Sequence, residues 1–257
     1  MSSYRDFFIN EVKKAFDPFG FKSISIGERF SFDHFDLQFL DEKVEAFSQF
    51  AKIIGINDSD ISLNGLLKLE FVMDTVNQDG IHYGGGITKD FTISLNVDEA
   101  AYAHEWMHAA DALKYNYENG LPLAAINEEI NGFFIKQKRN GFSSYKADFP
   151  TRFKMKAKVF DIREQIIRGK KTKYLSKKPE MLAYGMEKWT FEQFEKRGCG
   201  KGFVVGDKEF YEDFKERYPS DIDTQRIARI GFSIIEDLKE YGLLCKGVSA
   251  IKEEIQS

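Results

Sequence analysis

Residues 103–108 read Ala-His-Glu-Trp-Met-His, and His104 and His108 with Glu105 between them form a spacing that can do metal chemistry. On a helix, side chains four apart project from one face, so both imidazoles can reach a single cation at about the 2.0–2.1 Å zinc–nitrogen distance. Glu105 then lies beside the open coordination position, where it can take a proton from water acidified by zinc and later hand it to a leaving group. With only four histidines in the chain, His34, His82, His104 and His108, a chance His-Glu-x-x-His is expected on the order of once in a few hundred such sequences. His34 and His82 stand in aromatic-rich surroundings and read as packing residues.

A catalytic zinc needs a third protein ligand. No histidine follows His108, which leaves a carboxylate as the donor. Glu128, in Asn127-Glu128-Glu129, lies twenty residues after His108 on the next expected helix, a spacing that resembles the thermolysin-like peptidases. Glu180, in Pro179-Glu180-Met181-Leu182-Ala183, opens a later helix as Glu-x-x-Ala, where the small Ala183 lets that helix approach the motif helix closely. Asp111, seven residues after His104, shares the histidine face and is placed to orient an imidazole ring. Trp106, Met107 and Phe133 read as core.

The elements that must position these residues follow from periodicity. Asn96 and Glu99 stand at capping-box spacing, predicting a helix that starts near Val97 and carries the motif. The strand expected over 90–96 directly precedes it, an arrangement used by zinc peptidases, in which a strand edge pairs with an extended substrate. Upstream, Phe7, Phe8, Val12 and Phe16 predict a helix ending at Asp17-Pro18, and a second helix is expected over 41–54, with Gly55 as its stop. Leu67, Leu69, Phe71 and Met73 alternate as a strand, and Gly84-Gly85-Gly86 reads as a connection rather than a phosphate loop. Helices are expected over 97–116, 122–140, 151–168, 178–197 and 221–241. The resulting plan is an α+β chain with a small twisted sheet and a mostly helical C-terminal half. It divides into an N-terminal helical segment, 1–65, packed on the core of a domain over 66–257.

Composition narrows the function classes. The 257 residues carry 37 Lys and Arg against 41 Asp and Glu, a net charge of -4, so no nucleic-acid partner is expected. The basic stretch Arg168–Lys178 reads as a solvated loop face. No apolar run approaches the roughly 20 residues of a membrane span, and the N-terminus lacks the apolar stretch of a secretory signal. Two cysteines, Cys199 and Cys245, suggest neither a disulfide framework nor a thiolate metal site, so a cytoplasmic setting is expected.

The run His104-Glu105-Trp106-Met107-His108-Ala109-Ala110-Asp111 resembles the His-Glu-Trp-x-His-x-x-Asp signature of the zincin metallopeptidase-like domain of phage and mobile-element large polyvalent proteins. Pro179-Glu180-Met181-Leu182-Ala183-Tyr184-Gly185-Met186-Glu187 is similar to that family's Pro-x-Glu-Met-x-Ala-Arg-Ala-Phe-Glu helix, departing at Tyr184 and Gly185. Phe203-Val204-Val205, then Tyr218-Pro219 and an amphipathic helix, resemble its closing segment, so the likeness spans roughly 80–242. The resemblance implies a zincin-like fold, a zinc peptidase acting on a protein or peptide, and, for a phage-encoded chain, the host cytoplasm. Glutamate zincins share the Glu-x-x-Ala pattern, which favours Glu180 over Glu128 and implies zinc on His104, His108 and Glu180. Tyr174, six residues before Glu180, resembles in position the tyrosine that those enzymes use at the oxyanion. The alternative is a catalytically silent zinc-binding module that engages a host protein.

Overall fold

The computed structural model describes residues 2–27, 40–72, 85–87, 90–96, 101–123, 178–213 and 218–245. It is a mixed α and β fold. Helices α1 (Ser2–Phe16) and α2 (Leu40–Ile54) flank strand β1 (Ser23–Ile26), followed by β2 (Lys68–Val72), β3 (Gly85–Ile87) and β4 (Thr92–Asn96). Helices α3 (Tyr102–Glu118), α4 (Lys178–Arg197), α5 (Lys208–Asp213) and α6 (Asp221–Glu240) complete the described chain. The helices expected over 122–140 and 151–168 lie outside the described residues.

The strands form one sheet in the order β1-β2-β4-β3, with β1, β2 and β4 parallel and β3 antiparallel to β4. Alternation divides its two faces. Leu69, Phe71, Ile93 and Leu95 are fully buried, whereas Lys68, Glu70, Thr92 and Ser94 form the other face. On that face, the Ser94 hydroxyl donates to Glu70 at 2.8 Å across the β2–β4 pair, and Lys68 binds Asp90 at 2.6 Å.

Three expectations change. Gly85 and Gly86 are strand residues rather than a connection, paired with Leu95 and Ser94. Without side chains they carry no alternation, so a strand signal is absent from their sequence. The short β1, Ser-Ile-Ser-Ile, extends the sheet beyond β2 and draws the N-terminal segment into it. In α1, Phe8, Val12 and Phe16 are buried but Phe7 is 53% exposed, because a residue next to Phe8 turns about 100° away from the core stripe.

Much of the phenylalanine excess sits between the sheet and α2. Phe16 packs edge-on to Phe47 at 5.1 Å and lies 5.5 Å from Phe71, while Phe47 reaches Tyr102 of α3 at 4.5 Å and Phe50 meets Trp106 at 5.6 Å. The central helix α3 therefore uses Tyr102 and Trp106, four apart, to grip α2, and His104 and His108, also four apart, on another face. Helix α4 packs against both α3 and α6.

Candidate metal centre

The motif helix does not begin at Asn96, which ends β4, and its N-cap position, Ala101, makes no side-chain capping bond. The first N–H groups of α3 are satisfied from a distant segment instead: Tyr102 N–H donates to the Phe203 carbonyl at 3.1 Å and Ala103 N–H to the Val204 carbonyl at 3.0 Å. These bonds satisfy donors that a helix start would otherwise leave orphaned. Lower on the same helix, the Tyr102 hydroxyl and the Trp106 indole N–H both donate to the carbonyl of Ile61, at 2.8 and 2.9 Å. Trp106 and Met107 are core residues, as expected.

On the facing side of α3, His104 and His108 meet Glu180 from the first turn of α4, and all three are buried. The two imidazole Nε2 atoms are 3.1 Å apart, and Glu180 Oε2 lies 3.6 Å from His104 Nε2 and 3.8 Å from His108 Nε2. The contacts to Oε2 are too long for hydrogen bonds, so this buried oxygen has no hydrogen-bond partner. A tetrahedral ion with arms of about 2.0–2.1 Å has donor–donor edges of roughly 3.3 Å, close to the observed triangle. His104, His108 and Glu180 thus form a buried group that can hold a metal ion. Ala183, one turn beyond Glu180, is fully buried where α4 packs on α3.

Electrostatics draw positive charge into this triangle. Burial alone would lower the His104 pKa, but Glu180 and Glu187 at its ring nitrogens and the charges of Glu105 and Glu187 outweigh it, leaving the imidazole well above its ordinary value. Burial would raise the Glu180 carboxyl, yet the charge of His108 and the approach of both imidazoles hold it well below the carboxylate range. Glu105, also buried, is pushed up by burial, with His104 and His108 pulling it down and Glu180 and Glu187 pushing it up.

Glu187, seven residues beyond Glu180 on α4, is hydrogen-bonded to the His104 ring. Its Oε2 lies 3.2 Å from His104 Nδ1, and its Oε1 accepts from the hydroxyls of Tyr211 at 3.1 Å and Tyr218 at 3.0 Å. Asp111, expected to orient a ring, stands close enough to His108 for its carboxyl to feel that charge, but burial dominates and raises it to about 6. Tyr184, where the resembling family carries Arg, sets its ring edge-on to His104 at 4.4 Å. Gly185 lies against α6, where an added Cβ would collide with the Ile227 side chain.

Strand β4 is paired on both sides, by β2 and β3, so it offers no edge to a substrate; among the described residues the outer strand on that side is β3. Tyr174, Glu128, His34 and His82 lie outside the described residues, as does the basic stretch up to Lys177. Among the described residues no helix is long and apolar enough to cross a membrane. Comparison of the chain with protein-family models, with curated proteins and with solved structures finds no match in any of the three.

Proposed function

We propose that this chain is a zinc-dependent peptidase of the glutamate-zincin kind, akin to the metallopeptidase-like domains of phage and mobile-element polyvalent proteins. The observation that carries this reading is the unpartnered, buried Glu180 Oε2 turned toward two imidazole nitrogens, with Glu105 next to the first of them. Two nitrogens and one carboxylate oxygen are the donor set of a catalytic zinc, which keeps a fourth position open. Zinc, when bound, would polarise a peptide carbonyl and acidify water. The chain's own residues do the rest: His104, His108 and Glu180 hold the ion, and the Glu105 carboxylate takes the proton from the attacking water and delivers it to the leaving amine. Tyr174, which resembles in position the tyrosine of glutamate zincins, is the proposed donor to the oxyanion. Among the described residues β3 is the outer strand on that side of the sheet, the position at which an extended peptide could add a strand. A silent zinc-binding module would have no use for Glu105 and would normally close its fourth coordination position.

The test is bound-metal stoichiometry of the full chain, stripped with chelator and re-supplied with zinc, beside Glu180→Ala and Glu128→Ala. One zinc per chain is expected in the wild type and in Glu128→Ala, and none in Glu180→Ala. A wild type without zinc would end the peptidase reading, and loss in Glu128→Ala alone would move the third ligand.

A further inference from the structure

The three ligand atoms of the proposed centre come from α3 and α4, yet Phe203, Val204, Tyr211 and Tyr218, which follow α4 in the chain, bond to both helices close to those ligands. The Phe203 and Val204 carbonyls cap the N–H groups of Tyr102 and Ala103, the two residues before His104. The Tyr211 and Tyr218 hydroxyls converge on a single oxygen of Glu187. Glu187 lies seven residues after Glu180, two turns along the same face of α4, so one helix presents two carboxylates to the motif helix. With Glu187 Oε2 at Nδ1, the other ring nitrogen, Nε2, is the one that faces His108 and Glu180, so a metal held by the three residues would meet Nε2 while Nδ1 stays hydrogen-bonded to Glu187. Burial and the neighbouring charge of Glu187 raise both phenols well above their ordinary pKa, which keeps them protonated as donors. Packing fixes the phenols in turn: Tyr211 stacks on Phe191 at 3.9 Å and lies 4.5 Å from Tyr218, which meets Tyr184 edge-on at 5.5 Å.

We infer that Glu187, held by Tyr211 and Tyr218, is the positioning residue for the His104 ligand, so that the closing segment sets the metal affinity of the centre without supplying a ligand. The inference rests on the metal-binding reading above. A neutral replacement shows why the carboxylate is required. Gln at 187 has one acceptor oxygen; if that oxygen takes the His104 Nδ1–H, its amide group faces two hydroxyls that have lost their acceptor. Outer hydrogen bonds of this kind typically change metal affinity by about 10–100-fold.

The experiment measures zinc affinity of the full chain by competition with a chromogenic chelator, together with the visible spectrum of the cobalt(II)-loaded protein. The wild type is compared with Glu187→Gln, the double variant Tyr211→Phe/Tyr218→Phe, and Glu192→Gln as a control on the same helix. Affinity is expected to fall about 10–100-fold in Glu187→Gln and by a smaller factor in the double variant, with cobalt bands shifted in both and the control unchanged. A merely structural role would lower the unfolding temperature and leave zinc affinity and the cobalt spectrum as in the wild type, and that result would overturn the inference. Should Glu187→Gln fail to fold, the double variant decides alone, since it keeps the carboxylate and removes only its two donors. A wild type that binds no zinc removes both this inference and the peptidase reading, whereas zinc-binding variants of wild-type affinity remove only this one.

Discussion

Tyr102 and Trp106, one turn apart on the motif helix, donate to the same oxygen, the carbonyl of Ile61. That shared acceptor ties α3 to the turn after α2, so the height of the histidine face is set partly from behind. Because either donor alone still satisfies the carbonyl, the two should be non-additive. Tyr102→Phe is expected to cost about 1 kcal/mol, and the pair Tyr102→Phe/Trp106→Phe to exceed the sum of the single losses by about 1 kcal/mol or more, since only then is a buried carbonyl orphaned. Urea unfolding of the four proteins measures this, and simple additivity would show that water replaces the lost donors.

Helix propensity alone predicts that Gly185→Ala stabilises α4 by about 1 kcal/mol. The close approach of α4 to α6 predicts the opposite, because an added Cβ at Gly185 would collide with the Ile227 side chain. Overpacking of this kind costs about 1–3 kcal/mol. A net loss of stability is therefore expected on urea denaturation. A stabilised variant would mean that α6 can shift outward, and the pairing of Met186 with Gly231 across the same interface would shift with it.

What the sequence discloses of this site follows the range over which its signals act. The His104–His108 spacing is a property of one helix turn, whereas the residues alone leave Glu128 and Glu180 both open and only the resemblance of Glu180-Met181-Leu182-Ala183 to the Glu-x-x-Ala of glutamate zincins favours Glu180. Glu187 stands in plain view seven residues later, but its partners Tyr211 and Tyr218 lie 24 and 31 residues further on, where no local periodicity connects them. The start of α3 fails for the same reason: Asn96 has capping chemistry, yet the strand absorbs it, and carbonyls from Phe203 and Val204 do the capping. A carbonyl has no residue type, so no reading of side chains finds it. Strand β3 is hidden differently, since two of its three residues are glycines and its existence depends on β4 as a template.

The proposed chemistry separates binding from turnover at Glu105, which adjoins a ligand without being one. Glu105→Gln is expected to bind zinc at wild-type stoichiometry while hydrolysis of a quenched fluorescent peptide library falls by about 10²–10⁴-fold. Full activity in a zinc-loaded Glu105→Gln protein would remove this carboxylate from the reaction. Loss of zinc together with activity would instead make its role one of holding the centre.

Asp111 gives a pH signature of known sign. Burial raises its carboxyl to about 6, against the lowering pull of His108 and Lys114, while in the unfolded chain it returns to 3.8. Between those values the folded protein holds the proton more tightly, so this group's contribution lowers stability as pH rises from about 4 to about 6 and stays at its full cost above. Asp111→Asn removes the titration. Relative to the wild type, the variant should show its smallest gain near pH 4 and its largest above pH 6.5, on the order of 1 kcal/mol after screening at a partly exposed position. Urea midpoints across that range, in the presence of chelator, measure the difference. A variant that instead loses stability at neutral pH would identify Asp111 as the ionised partner of His108, the ring-orienting role its spacing suggests.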